Sequence, residues 1–179
     1  MKYKILYADP PWRYNDKSLS HGGGAESHYP CMSVEDICAL ELPPIADDAA
    51  LCLWVTYPML REGLMVIDAW GFTYKTGLFT WIKLNQDRSY FSGMGRYTRA
   101  NPEICLLGTK GKGVERKATN VQNLQALVKG RHSEKPQLFR DEIVRLWGNL
   151  PRIEMFARER VPGWDVWGNQ APKFDTTLF

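Results

Sequence analysis

At 179 residues the chain has room for one domain with a substantial core, and none for a catalytic domain plus a separate large recognition domain. A hydrophobic content of 44% with 24% charged residues excludes global disorder. The net charge of +3 is unevenly spread: residues 83–135 hold eleven basic side chains against four acidic ones, a local excess of seven that leaves the remainder at −4. A basic middle on an otherwise acidic chain points to a polyanionic partner, the alternative being a set of solvated loop lysines.

In chain order, the apolar run 3–8 is short, rich in strand formers and expected to be a buried strand. It delivers Ala8-Asp9-Pro10-Pro11-Trp12 to a sheet edge. Two prolines cannot donate to a ladder, so the strand stops there and their carbonyls are expected to be free acceptors. A carboxylate, a rigid pair of carbonyls and an aromatic ring suit a flat ligand bearing an amino group; the alternative is a Pro-terminated strand with a core tryptophan.

Residues 13–29, with Gly22-Gly23-Gly24 among polar neighbours, form an aperiodic loop expected to gate a substrate. Neither G-x-x-x-x-G-K-[ST] nor G-x-G-x-x-G is present, which argues against a nucleotide-triphosphate site. Ser33 is an N-cap with Asp36 three residues on, opening a helix that ends before Pro43-Pro44. The run 50–56 predicts a second buried strand, and 58–69 a helix with Leu60, Leu64 and Ile67 facing the core and Gly71 closing it. Strand, helix and strand in this order imply parallel crossovers in an α/β sheet.

Residues 72–84 suit one long strand, and 103–107 its antiparallel partner in a broad hairpin. Between them, 85–101 interleaves Tyr90, Phe91, Arg96, Tyr97 and Arg99 with glycines. Such a loop can meet phosphates and stack on bases, or be a protein-contact flap. Lys110-Gly111-Lys112-Gly113 is a second basic loop. A short strand at 124–128, a helix at 136–147 opened by Pro136, and strands at 152–157 and 164–167 complete the elements. One domain is expected over 1–170, with 171–179 an aperiodic, mobile tail.

Cys31, Cys38, Cys52 and Cys105 have no C-x-x-C spacing and are expected to be reduced thiols. His21, His28 and Cys31 lack a second pair of ligands at zinc spacing, so no metal is expected. With no apolar stretch long enough for a signal peptide or membrane span, the expected location is the cytoplasm. Most of the seven tryptophans, among them Trp54, Trp81, Trp164 and Trp167, are expected in the core.

Read together, these stretches resemble the MT-A70 family of nucleic-acid adenine methyltransferases. The likeness rests on Asp9-Pro10-Pro11-Trp12, the strand with its acidic start at Glu103, Lys135-Pro136, Arg152 through Arg158, and residues 164–170, in family order across nearly the whole chain. It implies a single-domain Rossmann-like methyltransferase fold of the α/β class: a mostly parallel sheet with an antiparallel hairpin and circularly permuted motifs. The permutation accounts for the missing early glycine fingerprint. The resemblance further implies S-adenosylmethionine as cofactor. Lys135 would face its methionine carboxylate, Arg158 and Asn169 its ribose, and Glu154, Phe156 and Gln170 its adenosine, with Asp9 bordering it.

Asp9, Pro10, Pro11 and Trp12 would be catalytic, and Trp12, Tyr14, Arg96, Tyr97 and Arg99 would meet substrate, Trp12 by stacking. The chain departs from larger family members at Glu159-Arg160-Val161, where those carry other polar cofactor-binding residues. With nothing ahead of Met1 to wall the pocket, loops are expected to complete it, and target choice to come from 13–29, 85–101 and 110–135 or from a second subunit, as a homodimer or with a partner. The small form looks like bacterial and phage members, which favours DNA over RNA as substrate. The rivals are a catalytically silent nucleic-acid-binding or scaffolding subunit and a methyltransferase for a protein or small-molecule amine.

Overall fold

The computed structural model describes residues 1–14, 31–130 and 134–167. Strand β1 (Tyr3–Ala8) is buried on both faces: Ile5 and Tyr7 point one way, Leu6 and Ala8 the other, and all four are fully covered. That alternation of apolar side chains is what a strand between two helical layers requires. After it come α1 (Val34–Cys38), β2 (Ile45–Val55), a 3-10 turn (Tyr57–Met59), α2 (Leu60–Ala69), β3 (Thr73–Leu84), β4 (Glu103–Lys110), β5 (Leu124–Val128), α3 (Leu138–Trp147), β6 (Arg152–Met155) and β7 (Asp165–Trp167).

The seven strands lie in the order β5-β3-β4-β2-β1-β6-β7. β1 is parallel to β2 and β6, β7 is parallel to β6, and β5 to β3; only β4 runs against its neighbours. The α/β fold with an antiparallel β3–β4 pair is therefore as the pattern implied, and the strand carrying Asp9 precedes β6 and β7, as in the permuted order. The carboxyl ends of six strands and the amino end of β4 share one edge, the edge at which open α/β sheets bind ligands.

α1 and α2 cover one face, packing on Leu6, Leu51, Leu53 and Met155; α3 covers the other, where Phe139 meets Trp54 at 4.8 Å and Phe79 at 5.2 Å between ring centroids. Trp54, Trp81 and Trp164 are core residues, whereas Trp167 remains 36% exposed at the edge.

Local chemistry explains the boundaries. Ser33 caps α1 by accepting from the Asp36 amide at 3.1 Å, while its hydroxyl donates to the Asp36 carboxylate; aspartate is short for the usual reciprocal bond. Pro58 opens the 3-10 turn rather than an α-helix, so α2 begins at Leu60. A Cβ on Gly63 would meet Val55 Cγ1 at 2.4 Å, which is why α2 can lie this close to the sheet. Gly71, at φ +77°, ends that segment as expected. Strand β2 starts at Ile45, five residues before the apolar run, because Asp47 and Asp48 occupy its exposed beginning.

Candidate active site

Asp9 leaves the end of β1 at the carboxyl edge. Its backbone is set by the two prolines: the Trp12 amide donates to the Pro10 carbonyl at 2.9 Å across Pro11, whose ring-locked φ suits so tight a turn. The Pro11 carbonyl accepts from Met32 N–H at 2.9 Å. The expectation of two unengaged carbonyls is thus corrected. Pro10 oxygen already holds one bond and keeps a second lone pair, since a carbonyl accepts twice.

Trp12 is also corrected. It is 5% exposed, packed on the α1–α2 side of the core, with its indole N–H donating to the Trp54 carbonyl at 3.1 Å. Its ring offers no open face for a base, and it anchors the turn that carries Asp9. Tyr14, by contrast, is exposed, its hydroxyl 2.9 Å from Thr56 Oγ1 just past β2.

The charged centre is a chain of four side chains. Lys135, just ahead of α3, lies 2.7 Å from Asp9 Oδ2 and 3.0 Å from Glu103 Oε2, and Lys83 pairs with Glu103 Oε1. The Lys135 side chain is 4% exposed and sits 5.4 Å over the Trp54 ring; Trp54 in turn donates to Tyr7 Oη at 2.8 Å. An ammonium this buried survives because two carboxylates and an aromatic face replace its water.

Burial pushes the Asp9 carboxyl above its ordinary value; Lys135 and Arg158 pull it back, while Glu103 acts in the same direction as burial. Glu103 is buried too, which alone would raise it, but Lys135 and Lys83 prevail and hold it at about 2. Lys135 is raised despite desolvation by its two carboxylates and stays an ammonium. The Cys105 thiol beside this group is pushed up by burial and by Cys52.

Lys135 therefore faces two carboxylates of its own chain, whatever else it meets. Glu154 is 6% exposed and points to the α3 side, where Arg140 Nε and Nη2 each donate to one of its oxygens at 2.7 Å. Phe156 follows β6 with φ at +63°, a conformation rare outside glycine, and its ring meets Trp167 edge-on at 5.4 Å. Arg158 is exposed, and its charge reaches Asp9. Asn169, Gln170, most of the 13–29 loop with its three glycines, His21, His28 and the 171–179 tail lie outside the described residues.

The 85–101 flap rises from the same edge, between β3 and β4. Asn101 roots it: its side chain accepts from Lys83 N–H at 2.9 Å and donates to the Lys83 and Phe91 carbonyls at 2.9 and 2.6 Å. Lys129 lies 4.5 Å over the Phe91 ring. Gly95 is obligatory, since a Cβ would fall 2.0 Å from the Thr98 carbonyl. Arg96, Tyr97 and Arg99 are exposed, Tyr97 by 91%, with Arg96 5.9 Å over its ring.

The other basic loop is elsewhere. Lys110 pairs with Ala49, whereas the active edge lies beyond Val55, about 20 Å along β2 at roughly 3.3 Å per residue. Lys110 and Lys112 therefore stand at the opposite edge, where Lys112 N–H is held by Asp48. Of the basic residues expected there to read a target, Lys129 does reach the flap.

Glu103, Lys83, Trp54 and Asn101 were not among the expected site residues. A glutamate opening an otherwise apolar strand was the visible signal for Glu103; the others gave none that separates them from ordinary strand and loop positions.

The mixed sheet with one reversed strand, covered by helices on both faces and carrying a carboxylate–lysine cluster at its carboxyl edge, is consistent with a methyltransferase fold. The profile of the MT-A70 family matches residues 3–170, and the chain belongs to that family. It is 36% identical over 96% of its length to Type II methyltransferase M.MunI of a Mycoplasma species, covering 78% of that protein. It is 30% identical over 94% of its length to the N(6)-adenosine-methyltransferase MT-A70-like protein of Drosophila melanogaster and 29% identical to the human N(6)-adenosine-methyltransferase catalytic subunit METTL3, but spans only 27% and 28% of those chains. No helix among the described residues is long and apolar enough to cross a membrane.

Proposed function

We propose that the chain transfers a methyl group from S-adenosylmethionine to the exocyclic N6 amine of adenine in DNA. The observation that carries this reading is Asp9, at the carboxyl edge with Oδ2 held by Lys135 and the Pro10 carbonyl one residue on. The edge also fits the cofactor's chemistry. Its amino-acid end needs both signs, and Asp9, Glu103, Lys135 and Arg158 supply them; its flat adenine needs apolar walls, and Phe156 and Trp167 stand nearby.

The cofactor supplies an electrophilic methyl on a sulfonium. An adenine amine is a poor nucleophile because its lone pair is delocalised into the ring. Asp9 Oδ1 accepts one amino hydrogen and the remaining lone pair of Pro10 oxygen the other, which draws the nitrogen's electrons out of conjugation. Methyl transfer to that nitrogen, with loss of the sulfonium's bond to the methyl carbon, would make the remaining amino proton acidic, and Asp9 or water would take it. Positioning and electrostatics do the rest.

Lys135 keeps Asp9 ionised and oriented, and Trp12 holds the turn from below. Glu154 acts through Arg140 by seating β6 and so Phe156 and Arg158. Arg96, Arg99 and Tyr97 of the flap, with Tyr14, meet the polymer, and an adenine within a duplex is flipped out to reach Asp9.

DNA is favoured by the Type II methyltransferase likeness, which covers most of both chains. Exposed Tyr90 and Tyr97 on the flap suit stacking on single strands, so RNA is the second reading. The buried thiols of Cys52 and Cys105 suit a reducing cytoplasm. The test is incubation with labelled cofactor and duplex or single-stranded DNA and RNA, followed by nucleoside mass spectrometry. N6-methyladenine in DNA is expected; label only in RNA, or only in protein, overturns the choice of substrate.

A further inference from the structure

Asp9 does not face Lys135 alone. The four charges Lys83, Glu103, Lys135 and Asp9 alternate in sign along one path, from β3 through β4 and the segment before α3 to the end of β1. Lys135 and Glu103 are nearly sealed from solvent, with side chains 4% and 12% exposed. An ammonium on a flexible stem could drift toward either carboxylate. With Glu103 gripped from behind by Lys83, Lys135 is pinned between the two, and its bond takes one Asp9 oxygen and leaves the other.

Lys83 is also the root of the flap. Its N–H and carbonyl are both bonded by Asn101, and its carbonyl accepts from Phe91 N–H at 3.0 Å. The residue that closes the charge path is thus the one from which the 85–101 loop hangs.

We propose that Lys83 and Glu103 are positioning residues for the reaction at Asp9, holding Lys135 so that one carboxylate oxygen is fixed and the other is open to the amine, and tying that arrangement to the seat of the flap. The inference rests on the methyltransferase reading above. It has an electrostatic signature. The groups whose charge or proton bears on Asp9 are Lys135, Glu103 and Arg158, with the Cys105 thiol beside them.

Removing Lys83 leaves two carboxylates to share Lys135, which favours proton uptake by Asp9. Removing the charge of Glu103 leaves two ammonium groups for one carboxylate, which opposes it. The acid limb of the rate profile, where Asp9 takes its proton, therefore moves to higher pH in Lys83→Met and to lower pH in Glu103→Gln. A purely structural role gives no such opposed pair.

The experiment compares the native chain with Lys83→Met, Lys83→Arg and Glu103→Gln, using S-adenosylmethionine and adenine-containing DNA and RNA, with cofactor affinity by calorimetry and melting curves alongside. The expected result is a fall in kcat of roughly ten- to a hundredfold for Lys83→Met with cofactor affinity retained, recovery of most of the rate in Lys83→Arg, and opposed shifts of the acid limb. If Lys83→Met does not fold, the downward shift in Glu103→Gln against an unmoved limb in Lys83→Arg carries the same test. An unchanged kcat in Lys83→Met, shifts in one direction only, or a rate loss matched by lost cofactor affinity overturns the proposal. A native chain that methylates neither polymer overturns the methyltransferase reading instead, and the inference with it.

Discussion

Lys135 Nζ donates to Asp9 Oδ2 at 2.7 Å across 126 positions of sequence. That bond joins the first strand of the chain to the segment entering its last long helix. If Asp9 accepts an amine hydrogen, Asp9→Asn removes the charge while keeping the shape. Methyl transfer should fall by about 10²–10³-fold, with cofactor affinity by calorimetry largely kept. Full turnover by Asp9→Asn in a labelled-methyl assay rules out the catalytic assignment.

The pH dependence follows from the same carboxyl. Burial raises the Asp9 carboxyl above its ordinary value, so the protonated, inactive form persists to higher pH than for a surface aspartate. The rate should climb with pH along an acid limb lying above the value of a free aspartate. Single-turnover rates against pH measure it; a limb at or below the value of a free aspartate contradicts the assignment.

Stability has a separate acid signature in Glu103. Its folded value, about 2, lies below the 4.5 of an unperturbed glutamate, so its contribution is present above the latter and is lost as pH falls toward the former. In Glu103→Gln the loss of melting temperature over that window should be shallower than in the native chain.

Glu154 and Arg140 form a buried, bidentate pair, each less than a tenth exposed. Glu154→Ala strands a guanidinium and should cost about 3–5 kcal/mol in denaturant unfolding. The double change Arg140→Met with Glu154→Leu should recover most of it. A Glu154→Ala protein that melts like the native one but no longer binds cofactor would instead place Glu154 on the cofactor directly.

The flap makes a prediction of its own. Asn101→Ala cuts three of its root bonds and should raise KM for the nucleic acid more than it lowers kcat. Arg96→Ala with Arg99→Ala should flatten the slope of log affinity against log salt by about 2. An unchanged slope removes these arginines from the phosphate contacts.

The sequence alone determined the α/β class, the strand that carries Asp9, the antiparallel partner that begins at Glu103, and the family. Those features are local: strands buried on both faces are continuous apolar runs, prolines stop them, and Ser33 and Gly71 mark helix ends through their own backbone chemistry. It also pointed to Asp9 and Lys135 as site residues.

What the tertiary structure decided is which groups meet. Trp12 and the Pro11 carbonyl read as open to a ligand because a sequence does not show that the Trp54 carbonyl and the Met32 amide already engage them. Lys110 and Lys112, in a second basic loop expected to share in target choice with the loop of Arg96 and Arg99, are carried to the opposite edge by the register of β2 against β4. Glu154 looked available until Arg140 closed on it. Each of these depends on contacts between residues far apart in the chain, set by packing and strand register rather than by local pattern. The path from Lys83 to Asp9 is of that kind: four charges on four segments, brought together only because six strands end at one edge where the seventh begins.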